Sequence, residues 1–154
     1  MNIQQELFLV TGTLQKAGID YALCGGLAVV VHGVPRLTQD IDLLVREQDL
    51  DQIRRTLANV GYTVESGFFS FDAGTPREVR LFRIVKVEGE DYMTLDLILV
   101  TPFLEEVWQG RERIQVEQYT LQVISCDGLA KMKSASGRSQ DIADLSQLGL
   151  GPPP

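Results

Sequence analysis

Asp40 and Asp42 stand two residues apart in a run that is otherwise aliphatic, Asp40-Ile-Asp-Leu-Leu-Val45. On an extended chain, side chains at i and i+2 leave the same face, so both carboxylates aim at one place. The neighbours Ile41, Leu43, Leu44 and Val45 belong to a buried strand, on which a solvated charged face is hard to sustain. Two adjacent carboxylates repel each other, and one normally takes up a proton unless a hard divalent cation holds both as anions. A sheet strand that presents a charged site, and finds a partner for that charge, is therefore expected here.

Asp96 repeats the pattern as the one charge in Leu95-Asp-Leu-Ile-Leu-Val100, where a carboxylate is paired, metal-bound or at the edge of an element. Three such carboxylates suffice to hold two cations of the kind that clamp the attacking and leaving oxygens in nucleotidyl transfer. Gly25-Gly26 lies between the apolar run Tyr21 to Cys24 and a helix start. Bare backbone N–H groups there can receive a phosphate, and glycine lets it come close. The same pair also suits a tight turn that needs positive φ. No Gly-Lys-Ser/Thr follows, and the spacing does not match the dinucleotide fingerprint.

Periodicity and stop signals predict helices over 3–17, 27–31 and 48–60, strands over 21–24 and 40–45, and then a strand-rich middle. Strands are expected over 68–71, 79–87 and 92–100, the last two joined by a Glu88-Gly-Glu-Asp91 turn as a hairpin. A short helix over 102–109, a strand over 119–125 and helices over 128–136 and 139–148 complete the chain. This order describes an α+β domain with a mixed β-sheet and helices packed mainly on one face. One domain over 1–148 with a flexible tail over 149–154 is the expected organisation.

With 44% apolar and 23% charged residues among 154, the chain has the make-up of a globular domain and excludes disorder. A net charge of −7 and a pI near 4.7 disfavour wide nucleic-acid binding and leave room for a site that collects divalent cations. No apolar run is long enough to cross a bilayer, and Met1-Asn2-Ile3-Gln4-Gln5-Glu6 lacks the basic start of a signal peptide. A cytoplasmic protein with no membrane partner is expected. Cys24 and Cys126 have no metal-ligand spacing and read as reduced core cysteines.

Leu23-Cys24-Gly25-Gly26, thirteen residues, then Asp40-Ile41-Asp42-Leu43 resembles the polymerase-β-type nucleotidyltransferase signature, with Asp96 matching its third carboxylate. Ala28, His32-Gly33, Arg36 and Thr38 in the spacer, and the stretch Lys133 to Asp144, resemble the subgroup of abortive-infection and toxin-antitoxin nucleotidyltransferases. The resemblance implies a minimal nucleotidyltransferase fold, with Gly25 and Gly26 cradling a triphosphate and Asp40, Asp42 and Asp96 holding Mg2+, or Mn2+ in its place. It also implies that Asp96 accepts the proton of the attacking hydroxyl, and that Arg36, Thr38 and Lys133 meet phosphate. Lys131 faces elsewhere on its helix than Lys133, His32 receives no role, and Arg138, Asp141 and Asp144 are expected to brace the last helix.

The function implied is transfer of a nucleoside monophosphate from an NTP to a hydroxyl acceptor, with release of pyrophosphate, as part of a toxin-antitoxin or phage-defence system. The acceptor is RNA, protein or a small molecule, and an antitoxin protein is the expected partner. Two other readings stay open: an antibiotic-modifying nucleotidyltransferase, and a nucleotide-binding regulatory module without catalysis.

Overall fold

A computed structural model of the chain describes residues 1–136. Helix α1 (Ile3–Lys16) begins where the Asn2 side chain accepts a hydrogen bond from the Gln5 N–H at 3.0 Å, and it ends before Gly18 at φ +72°. Val10 and Leu14, one turn apart, are fully buried beneath it. Strand β1 (Ala22–Cys24) runs directly into helix α2 (Gly25–Val31), and β2 (Asp40–Val45) leads through a 3-10 turn into α3 (Leu50–Ala58). Long strands β3 (Tyr62–Phe71), β4 (Val79–Glu88) and β5 (Asp91–Leu99) follow. Then come the short helix α4 (Glu105–Gln109), the hairpin β6 (Glu112–Val116) and β7 (Tyr119–Val123), and helix α5 (Cys126–Ser136).

The strands form one mixed sheet in the order β3-β4-β5-β2-β1-β7-β6. The β2–β5 and β1–β7 pairs are parallel, and the others are antiparallel. Together with five α-helices among the described residues this is the expected α+β fold. Strand β2 lies at the centre, where Ile41, Leu43, Leu44 and Val45 have no solvent contact. Central placement explains why an almost continuous aliphatic run carries it.

Two strands depart from the sequence reading. Strand β6 was not expected at all, because Glu112-Arg-Ile-Gln-Val116 is an edge strand whose apolar positions are only Ile114 and Val116. Strand β3 begins six residues earlier than expected, at Tyr62; from Thr63 on it is mostly exposed, so little hydrophobic alternation marks it. The helix expected over 139–148 and the tail over 149–154 lie outside the described residues, as does the Arg138, Asp141 and Asp144 cluster.

Helices α1 and α3 pack on each other, and a buried polar cluster ties α1 to the sheet. Glu6 on α1 accepts a hydrogen bond from the Tyr62 hydroxyl at 3.1 Å and pairs with the Lys86 ammonium at 2.9 Å. Burial of Lys86 lowers its pKa, but the hydrogen bond and charge of Glu6, with Glu88, outweigh this and raise it overall. Because the folded value lies above the unfolded one, this stabilisation is complete below the ordinary lysine range and fades as pH rises through the raised pKa. Lys86→Met strands the Glu6 carboxylate in the core and should cost about 3 kcal/mol in urea unfolding at pH 7. A loss under about 0.5 kcal/mol would show that the pair is solvated.

Candidate active site

Register brings the acidic residues together. Parallel pairing sets Asp42 beside Asp96 and Asp40 beside Thr94, while antiparallel pairing sets Cys24 across from Asp42. Residues directly opposite on paired strands share a sheet face, so Asp40, Asp42 and Asp96 occupy the same one. Asp96 is buried, Asp42 half-buried and Asp40 at the exposed end of the strand. Burial, then the charge of Asp96, raises the Asp40 pKa, and the Arg83 guanidinium offsets part of this.

The glycine turn closes over this face. Gly25 sits at φ +66°, and a Cβ placed there would lie 2.9 Å from the Asp42 carboxylate carbon. Only glycine combines that backbone conformation with so close an approach. A Cβ on Gly26 would meet Thr38 Oγ1 at 2.9 Å and the Arg36 guanidinium carbon at 3.4 Å. Gly25, Gly26, Arg36, Thr38 and Asp42 are therefore one cluster.

Lys133 on α5 is buried, and it lies close enough to Cys24 to lower that thiol's pKa. Burial dominates and drives the Cys24 pKa well up, with Asp42 and Asp96 adding to the rise. The thiol is thus a neutral packing group beside Asp42. Lys131, two positions along the helix, turns instead to α4, 3.4 Å from Glu106 and 4.8 Å from the Phe103 ring centroid. His32 has a structural contact, its ring nitrogen donating to the Ile124 carbonyl oxygen at 2.8 Å.

One residue of this face was missed in the sequence. Arg83 on β4 grips Asp96 with two parallel hydrogen bonds, Nε to Oδ1 at 2.7 Å and Nη2 to Oδ2 at 3.0 Å. Asp40 and Asp42 also raise its pKa, so the guanidinium lies in the field of all three carboxylates. The hairpin itself held the signal. Counting four residues back from Val87 and four on from Tyr92 pairs Arg83 with Asp96.

The donor set is made of hard oxygens, which suits Mg2+ or Mn2+. In the arrangement described, no three His, Cys, Asp or Glu side chains among the described residues form a group that could hold one ion. A guanidinium stands on the third carboxylate instead, as a stand-in cation among acidic groups. No helix among the described residues is long and apolar enough to cross a membrane.

The family model for aminoglycoside-2''-adenylyltransferase matches residues 6–148. No curated protein sequence matches at a significant level. Among solved structures, a candidate nucleotidyltransferase from Thermotoga maritima superposes with a TM-score of 0.64 at 13% identity, covering 94% of this chain and 91% of the other. The lincosamide antibiotic adenylyltransferase LnuA with lincomycin bound gives 0.61 at 18% identity, covering 94% and 95%. ANT(2'')-Ia in complex with adenylyl-2''-tobramycin gives 0.59 at 11% identity, covering 96% and 88%. At these identities the superpositions establish a shared fold.

Proposed function

This chain belongs to the aminoglycoside-2''-adenylyltransferase family, and on that premise we propose that it transfers a nucleoside monophosphate, adenylyl first among candidates, from an NTP to a hydroxyl of a small antibiotic-like molecule. The observation that carries the proposal is the register of β2 against β5, which sets Asp42 beside Asp96 on the sheet face closed by Gly25. Two of the three structural relatives reported are bound to an antibiotic or an adenylylated antibiotic, which favours a small acceptor over the toxin-like acceptors suggested by the spacer motif. The charge of −7 points the same way, since it attracts an amine-bearing acceptor and repels RNA.

In this reading Asp40 and Asp42 hold Mg2+, and Asp96 completes the site. The bound ion would polarise the α-phosphate and balance charge on the leaving pyrophosphate. Gly25 and Gly26 admit the triphosphate, Arg36 and Thr38 contact it from the spacer, and Lys133 compensates its charge from behind. The acceptor oxygen attacks the α-phosphorus in line as the bond to the β-phosphate oxygen breaks. Pyrophosphate leaves with that electron pair, and the hydroxyl proton passes to the Asp96 carboxylate.

The test is incubation with each α-labelled NTP, Mg2+ and separate acceptors: tobramycin, lincomycin, total RNA and extract protein. Label is expected in a small acceptor, with pyrophosphate released in equal amount and no transfer by Asp42→Asn. Label in RNA or protein alone would return the chain to the toxin-like reading. Label in nothing would leave a nucleotide-binding module.

A further inference from the structure

The transfer reaction leaves Arg83 without a task, yet this side chain holds the carboxylate that the reaction needs. Both Asp96 oxygens accept N–H groups from the guanidinium, at 2.7 and 3.0 Å, and the Asp96 side chain is only 8% exposed. A divalent ion takes such oxygens directly, at about 2.0–2.1 Å for Mg2+. It would also repel a guanidinium already seated on them. In this arrangement no three carboxylates among the described residues form a group that could hold one ion.

Arg83 also has somewhere to go. Its side chain is 36% exposed, and its guanidinium carbon stands 4.9 Å from the Phe69 ring centroid. Phe69 lies on the outer strand β3 and its ring already flanks the guanidinium, so that contact can be kept when Arg83 releases Asp96. Arg83 further borders an open cavity of about 460 Å3 shared with Thr38, Asp40, Tyr92 and Thr94. The long side chain can leave Asp96 without unpacking the core.

We propose that Arg83 and a divalent cation occupy Asp96 in alternation. Without the cation the guanidinium holds both oxygens of the third carboxylate, on the strand register beside Asp42. Cation binding displaces it into the cavity it borders, with Phe69 still at its side, and frees Asp96 for the acceptor hydroxyl. Arg83 is thus a positioning residue that disfavours metal capture until nucleotide phosphates add their own attraction for the ion. The proposal rests on the carboxylate reading made above, and the experiment separates the two.

The experiment measures Mn2+ binding without nucleotide, by loss of the free-ion electron paramagnetic resonance signal, for the parent protein, Arg83→Gln and Arg80→Gln. Arg80 is the control, since it lies three residues before Arg83 on the same strand, on the other face, and pairs with Glu47. Arg83→Gln should bind Mn2+ at least ~10-fold tighter than the parent, and Arg80→Gln should match the parent within about twofold. In a parallel Mg2+ titration of the parent protein, the Arg83 Nε–H resonance should move with the binding isotherm, a readout that needs no variant to fold. Equal or weaker binding by Arg83→Gln, or an unmoved Arg83 resonance at saturating Mg2+, would overturn the alternation and leave the metal site standing. Cation binding by none of the proteins would overturn the metal site itself.

Discussion

Asp42→Asn is expected to lower kcat for nucleotidyl transfer by at least ~10^3-fold, roughly 4 kcal/mol of transition-state stabilisation, while the protein stays folded. The asparagine keeps the shape of the side chain but removes the negative charge with which, on the proposed function, Asp42 holds a cation. Asp42 shares its sheet face with both of those carboxylates, so removing its charge also relieves repulsion in the metal-free protein. Melting in chelator should therefore change by no more than a few degrees, in either direction. Activity in labelled-NTP assays and melting in EDTA are read on the same preparation. A kcat within tenfold of the parent, or a melting point lower by more than about 10 °C, would mark Asp42 as a structural group.

Gly25→Ala should be the most damaging glycine-to-alanine substitution among the described residues. At φ +66° an L-residue costs about 1–2 kcal/mol, and the new Cβ would lie 2.9 Å from the Asp42 carboxylate carbon and 3.0 Å from its Cβ. The Asp42 Oδ2 lies nearer still and can swing away, but the Asp42 Cβ is fixed to the backbone, so overpacking adds a further ~1–3 kcal/mol. Urea unfolding should show a loss of about 2–4 kcal/mol, and transfer should fall at least ~10^2-fold because Asp42 is pushed aside. Gly26→Ala is the contrast, because its backbone is unstrained and its nearest atom is the movable Thr38 hydroxyl. It should cost less than half as much stability. In a double-mutant cycle, Asp42→Ala should recover part of the Gly25→Ala loss, since the two residues touch. Strict additivity would mean that the backbone strain, and not the contact, carries the effect.

Sequence patterning marks the parts of the candidate site that obey local rules. Asp40 and Asp42 were legible because strand alternation acts within three residues, and Asp96 because a lone charge in an aliphatic run is conspicuous. Strand β6 and the first half of β3 were not legible, because edge and exposed strands need no continuous apolar face to be stable. Arg83 belonged to both classes. Hairpin arithmetic places it opposite Asp96, yet the aliphatic pattern of Val79 to Val87 signals only a strand and not which charge meets Arg83.

The amino-acid sequence by itself determined most of the elements, the acidic strand and the glycine turn, since each depends on backbone preferences and side-chain periods within a few residues. Only the tertiary structure decided that β2 pairs in parallel with β5, more than fifty residues later, and so decided which carboxylate stands beside Asp42. Shifting that register by one residue would turn Asp96 to the opposite face, an alternative that local propensity barely distinguishes and burial of Leu95, Leu97 and Leu99 does. The ion pair of Arg83 with Asp96 belongs to the same level. It depends on side chains from two strands meeting on a half-covered face, where the removal of water and the field of three carboxylates select the partner.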